Sequence, residues 1–214
     1  MISIADAIKK LEEIFDKANE HFYNKELERP IITIQTGNRS VLGWCSAGTR
    51  WVAGDKGYYE INIVAENLAR SLDGVVGTML HEMVHLYNAQ NGISDCTTTQ
   101  YHNRKFKEAS LAHGLEMVCE KADINRGYAF TKLNEEGMKF VAELVASGMK
   151  DFELNRGAPG KDKKPVAKKK PTAPMYTYEC ECGIKIRNKS NMLNIICGGC
   201  GCKFKLQEGK KNQD

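Results

Sequence analysis

A chain of 214 residues, 42% hydrophobic and 27% charged, has room for one hydrophobic core and a small appended module, and is too short for three ordinary domains. No apolar run approaches the roughly 20 residues that span a bilayer, and the opening Met1-Ile-Ser-Ile-Ala-Asp-Ala-Ile-Lys-Lys lacks the profile of a signal peptide. The expectation is a cytoplasmic protein with no membrane partner, nucleoid-associated if its source is bacterial. The net charge of +4 conceals a division: residues 157–214 hold 13 Lys and Arg against 5 Asp and Glu, a net +8, leaving 18 against 22, a net −4, for residues 1–156. A cationic tail on a slightly acidic body suits a polyanion such as DNA.

In chain order, Ile4, Ile8, Leu11, Ile14, Phe15, Ala18 and Phe22 recur at three- and four-residue spacing and predict an amphipathic helix. Ile31 to Thr36 is a β-branched strand stopped by Gly37 and Asn38. Val41 to Cys45 and Trp51 to Ala53 read as two strands joined by a polar turn, and Tyr58 to Ile63 alternates like a half-buried strand. Asp73 is placed to cap a buried helix running from about Gly74 to Gln90, with Gly92 as its stop. A shorter helix spans roughly Asn103 to His113, and another amphipathic segment runs from Asn134 to Leu154. These elements make an α+β domain over residues 1–156. Residues 157–174, with six lysines, four prolines and no aromatic residue, cannot bury a core and read as a disordered linker; a small module follows from 175 to 214.

The buried helix carries His81-Glu82-Met83-Val84-His85. Residues four apart lie one turn apart on the same face, so both imidazoles can reach one ion at 2.0–2.1 Å, with Glu82 beside them as a general base. One protein ligand is still missing, and His102, Asp95, Glu108 and His113 are the candidates. A short metzincin site is excluded because Asn88 and Asn91 stand where Gly and His are required. Glu108 lacks the neighbouring pattern of a glutamate ligand, and His113 beside Gly114 suits a helix C-terminus. His102 opens the next helix and can point back at the first; it is favoured, with Asp95 as its rival.

The run Thr78 to Leu86, then Asp95, then Tyr101-His102-Asn103-Arg104-Lys105-Phe106-Lys107, then His113-Gly114-Leu115, resembles the SprT-like metalloproteases, a family that includes proteases degrading proteins crosslinked to DNA. The likeness covers about residues 1–120, and Tyr176 to Phe204 is similar to the zinc ribbon that follows the domain in many members. It implies a zincin-like zinc endopeptidase with metal ligands His81, His85 and His102, general base Glu82, protein substrates and a part in DNA repair. The strand Tyr59 to Ile63, just upstream of the motif helix, is where zincins place an edge strand that aligns substrate, although its alternation serves core packing equally well.

Five of eight cysteines crowd into 23 residues, which is metal chemistry in a reducing compartment. Cys180, Cys182, Cys197 and Cys200 form a four-thiolate set for a second, structural zinc ion, with Cys202 as the surplus thiol and an alternative to Cys200. Lys185, Arg187, Lys189, Lys203 and Lys205 surround it and, with the lysine linker, suit phosphate neutralisation. Cys45, Cys96 and Cys119 are scattered singly and are expected to be small buried side chains.

Overall fold

The computed structural model describes residues 3–37, 41–154, 156 and 176–207. The chain divides into two compact units, residues 1–160 and 161–214. The lysine- and proline-rich stretch 157–174 and the tail after 207 lie outside the described residues.

In the first unit, α1 (Ile4–Tyr23) begins at Ser3, whose side chain accepts from the Asp6 amide while Asp6 reaches back to the Ser3 amide. This capping box satisfies donors that the first helical turn leaves open. Its stripe of Leu11, Ile14, Phe15 and Ala18 is wholly buried. Five short strands follow: β1 (Ile31–Gln35), β2 (Gly43–Cys45), β3 (Trp51–Ala53), β4 (Lys56–Tyr58) and β5 (Glu60–Val64). The sheet has the order β1-β5-β2, with β1 parallel and β2 antiparallel to β5. The two strands expected at Val41 to Cys45 and Trp51 to Ala53 are present, the first pairing with β5 and the second forming a separate hairpin with β4; one expectation is corrected. The alternating segment Tyr58 to Ile63 breaks between Tyr58 and Glu60, and all five residues of β5 are buried, because a central strand has neighbours on both sides.

Helix α2 (Leu72–Gln90) packs against β2, β5, α1 and the elements that follow it. Ser71, and not Asp73, stands at its N-cap; Asp73 lies in the first turn, where a carboxylate suits the helix dipole. Gly92 ends the run with φ +68°. Next come α3 (Arg104–Ala112), capped by Asn103, the hairpin β6 (Leu115–Met117) and β7 (Thr131–Leu133), and α4 (Glu135–Ala146), capped by Asn134. The sequence reading had no β6–β7 hairpin, and it ran α4 on to Leu154. The helix stops at Ala146 because Gly148 turns the chain at φ +93°. Cys45 and Cys96 are half-buried and Cys119 is exposed, so the expected burial fails for the last of these.

The second unit is a three-stranded antiparallel sheet, β8 (Tyr176–Glu179), β9 (Lys185–Asn188) and β10 (Lys205–Leu206), in the order β10-β8-β9. Its buried side chains are few: Tyr178, Cys180 and Cys197. No helix among the described residues is long and apolar enough to cross a membrane.

Leu11 is fully buried between α1 and its neighbours, so Leu11→Ala should destabilise the first unit by about 2–5 kcal/mol. Both tryptophans, Trp44 and Trp51, lie in that unit. Urea unfolding followed by tryptophan fluorescence therefore reads it alone, and an unchanged midpoint would contradict this packing.

Candidate metal centre

His81 and His85 project from one face of α2, and His102 comes from the segment before α3. One ring nitrogen from each lies within 4.8 Å of the other two. The closest pair, His85 Nε2 and His102 Nε2, is 3.0 Å apart. Nitrogens bound 2.0–2.1 Å from one tetrahedral ion sit about 3.3 Å apart, so the spacing is that of a shared ligand shell.

The opposite ring nitrogens are all engaged. His85 Nδ1 meets Asp95 Oδ2 at 2.8 Å, His102 Nδ1 meets the Gln100 carbonyl at 3.1 Å, and His81 Nδ1 meets Thr131 Oγ1 at 3.0 Å. A carboxylate and a carbonyl only accept, so the protons of His85 and His102 sit on Nδ1 and their Nε2 lone pairs face each other. In the neutral forms two lone pairs at that separation repel unless a proton or a metal ion lies between them, and this donor set fits a zinc ion. Burial, then the charges of His85 and His102, holds His81 well below the ordinary histidine range. Burial, then His85, lowers His102 to about 4. For His85 burial again pulls downward, but the Asp95 hydrogen bond and the nearby carboxylate charges outweigh it and the net shift is upward. Neutral imidazoles are the form that binds metal.

Asp95, the rival third ligand, is placed as an orienting group: Oδ2 accepts from His85 and from Asn88 Nδ2 at 2.9 Å. Such a carboxylate fixes the ring and raises ligand basicity. Neither Glu108 nor His113 joins the cluster. His113 Nδ1 bonds the Ala109 carbonyl at 2.7 Å, and its ring stacks on Tyr23 at 4.1 Å. The fully buried Phe106 ring lies 4.5–4.8 Å from all three histidine rings and forms the apolar floor. Thr131 and Gln100 were missed from sequence, since neither carries a pattern that links it to histidines on other elements.

Glu82 is 5% exposed and lies against β2. Burial drives its pKa up to about 7, against the lowering effect of His85 and of the nearby Cys45 amide. The close approach of helix and strand depends on Gly43. A Cβ there would stand 3.2 Å from Glu82 Oε1, 2.9 Å from Thr78 Cγ2 and 2.9 Å from the Asn62 carbonyl oxygen. β2 is also the free edge of the sheet on that side, whereas the strand expected to align substrate, Tyr59 to Ile63, falls in the central β5. A central strand has no main-chain groups left for a ligand.

In the second unit Cys180, Cys182, Cys197 and Cys200 bring their sulfurs within 4.8 Å of one another. Cys182 and Cys197 are 3.7 Å apart, near the roughly 3.8 Å expected for sulfurs 2.3 Å from one zinc ion, whereas Cys180 and Cys182, at 2.9 Å, are closer than a shared ion would hold them. The amides of Cys200 and Gly199 lower the Cys197 thiol, and the Cys202 amide lowers Cys200 to about 6. Backbone donors aimed at sulfur favour the thiolate. Cys202 turns away, donating to Glu181 Oε2 at 3.2 Å, a bond that raises it to about 11.

Comparison of the chain with protein-family models, with curated proteins and with solved structures yields no match. The likeness to SprT-like metalloproteases therefore rests on the motif residues of the sequence alone. The fold and clusters define a mixed α+β protein with two candidate zinc sites, one of three histidines and one of four thiolates.

If the clusters bind as their geometry indicates, the full chain holds two zinc ions. His102→Ala should release the histidine-bound ion, and Asp95→Ala should keep it with about 10- to 100-fold weaker affinity. Metal analysis with chelator competition checks both. Zinc loss in Asp95→Ala alongside retention in His102→Ala would reverse the assignment.

Proposed function

We propose that this chain is a zinc-dependent endopeptidase of the zincin kind, acting on proteins at DNA. The observation that carries the reading is the placement of Glu82 between the three-histidine cluster and the free edge of the sheet. A zinc ion held by His81, His85 and His102 supplies a water of lowered pKa, about 7, and polarises a substrate carbonyl. The remaining steps belong to the chain itself. Glu82 accepts the proton of the attacking water and passes it to the leaving amine. Its burial beside His81 and His85 supports that role, since a carboxylate held out of bulk water next to the metal position can take a proton there.

The substrate is aligned by β2. In its antiparallel ladder Ser46 N–H donates to the Glu60 carbonyl and Val64 N–H to the Leu42 carbonyl. Even-numbered residues of this stretch thus face β5, and the main-chain groups of Gly43 and Cys45 face outward. An extended peptide pairing with them lies alongside Glu82.

Direction to DNA rests on the tail, whose net +8 contrasts with the −4 of residues 1–156. Within the ribbon Lys185 and Arg187 lie on the exposed face of β9. Lys185 and Lys205 are paired with Glu179 and Glu181 at 3.6 and 3.1 Å, so part of that charge is compensated locally.

A second reading is a zinc protein with little or no turnover, whose histidine site organises a DNA-binding or regulatory module. It is favoured by the burial of Glu82, only 5% exposed against β2, which leaves the carboxylate little room to meet a substrate. A peptidase unrelated to DNA is the other alternative, and it differs only in the role of the tail.

Glu82→Gln separates these readings because the amide preserves shape but cannot take a proton. It should retain both zinc ions and DNA binding while losing cleavage of a DNA-bound protein by at least a hundredfold. Truncation after Arg156 should leave the histidine site loaded but weaken DNA binding, and the affinity of the full chain should fall steeply with salt. Equal low turnover in wild type and Glu82→Gln favours the non-catalytic reading. Equal cleavage by full and truncated chains, with or without DNA, leaves a general peptidase.

A further inference from the structure

His102 is the one nitrogen donor of the histidine cluster that α2 does not carry. Its main chain belongs to no strand or helix, and isolated bridges tie it to Cys96 and Gly127. On the Gly127 side the contact is made from both directions. His102 N–H donates to the Arg126 carbonyl at 3.0 Å, and Tyr128 N–H donates to the His102 carbonyl at 3.0 Å. Residue 127 is therefore pressed onto the His102 peptide. Gly127 has φ +64°, and a Cβ there would stand 2.0 Å from the His102 carbonyl oxygen, 2.9 Å from its carbon and 3.0 Å from the Tyr101 ring. Two of those three atoms are backbone and cannot swing aside, so a side chain at 127 must push His102 away or break the bridge.

The turn that presents Gly127 is itself closed. Asp123 N–H donates to the Gly127 carbonyl at 2.8 Å, and Gly127 N–H returns to the Asp123 carbonyl at 2.9 Å. Asp123 Oδ1 takes the amides of Asn125 and Arg126, both at 2.8 Å. A second hold acts on the ring. Gln100, a non-glycine residue at φ +62°, offers its carbonyl to His102 Nδ1. Its side-chain Oε1 accepts from Arg126 Nη1 at 3.1 Å, which connects the ring acceptor to the same turn. The imidazole is thus gripped at its main chain and at Nδ1, leaving only Nε2 to meet His85.

We propose that the turn Asp123–Gly127 is a positioning clamp for the third metal ligand, with Gly127 as the residue that sets where His102 can reach. Ligand nitrogens must be held within about 0.5 Å and 10–20° of their working geometry. His81 and His85 obtain this from a packed helix. His102 obtains it from a turn more than twenty residues downstream, and Gly127 and Asp123 are positioning residues that touch no substrate. The inference rests on His102 being a ligand.

The experiment is zinc titration of the metal-free full chain against a chromophoric chelator, with thermal unfolding of the metal-free protein measured in parallel. Gly127→Ala should lower the affinity of the histidine-bound ion at least tenfold and leave the thiolate-bound ion unchanged. Asp123→Ala, in the exposed turn, should lower it several-fold; it carries the test alone if Gly127→Ala does not fold. A purely structural role for the turn predicts a lower unfolding temperature with wild-type zinc affinity in the folded variants, and that result overturns the clamp. His102→Ala is the control for the premise. If it keeps wild-type affinity the ligand assignment itself fails, an outcome distinct from normal affinity in Gly127→Ala and Asp123→Ala with loss in His102→Ala. Proteolysis enters none of these readouts, so the clamp stands or falls apart from the peptidase reading.

Discussion

The first unit is organised around a polar stripe on a buried helix. α2 is packed on several sides, yet it carries His81, Glu82, His85 and Asn88 within two turns, in surroundings where an unpartnered polar group costs free energy on the order of 1–3 kcal/mol. The neighbouring elements answer that constraint one by one. Thr131 at the start of β7 takes His81, Asp95 takes His85 and Asn88, and the Cys45 amide of β2 lies near Glu82. What no neighbouring element answers is the remaining ring nitrogen of each histidine, and these lie within 4.8 Å of one another. The same burial that makes the stripe expensive makes it specific, because each polar group has one geometry that satisfies it and the leftover lone pairs face one another.

How much of this was legible in the sequence follows from the range of each interaction. The helix pattern of α1, the span of α2 and the pairing of His81 with His85 are local, set by spacing within one element, and the sequence reading placed them closely. His102 was favoured as the partner by its position before a helix, and it does join them. The first three strands fall where their β-branched and aromatic runs predict, but their pairing is non-local and left no signal. Whether Gly43–Cys45 pairs with Trp51–Ala53 or with Glu60–Val64 depends on what the sheet packs against, and that information lies in α2 rather than in the strands. The same limit hid the contact between Thr131 and His81, fifty residues apart, and the bridge between Gly127 and His102. Asp95 was read as a rival ligand because sequence shows that a carboxylate is near but not which atom it faces.

The second unit solves a different problem. Among its described residues only Tyr178, Cys180 and Cys197 are buried, so a metal ion held by the sulfur cluster would supply organisation that this small apolar area does not. Amides of the knuckle lower Cys197 and Cys200, while Cys182 is raised to about 12 by the hydrogen bond with Cys180 and by its other cysteine neighbours. Four thiols packed this closely cannot all ionise without a cation, and binding one both deprotonates them and closes the loops between them. The exposure of Cys200 and Cys182 is consistent with a structural site built at the edge of a small sheet. Spacing alone identified the four, since glycine-flanked knuckles are short-range features; the diversion of Cys202 to Glu181 is the non-local detail it could not supply.

The two readings of the histidine site differ in what the edge of β2 is for. Glu82 is buried against that strand, and the approach is close because residue 43 is glycine: a Cβ there would stand 3.2 Å from Glu82 Oε1 and 2.9 Å from Thr78 Cγ2, so a side chain would separate β2 from α2. The main-chain groups of Gly43 and Cys45 face away from β5, and the Cys45 amide lies near enough to the carboxylate to work against the upward effect of burial on its pKa. In the peptidase reading an extended peptide would pair along this edge, beside Glu82. In the non-catalytic reading the same approach only packs the strand on the helix. A substitution at Gly43 bears on both, because it moves the strand edge and the buried carboxylate apart together.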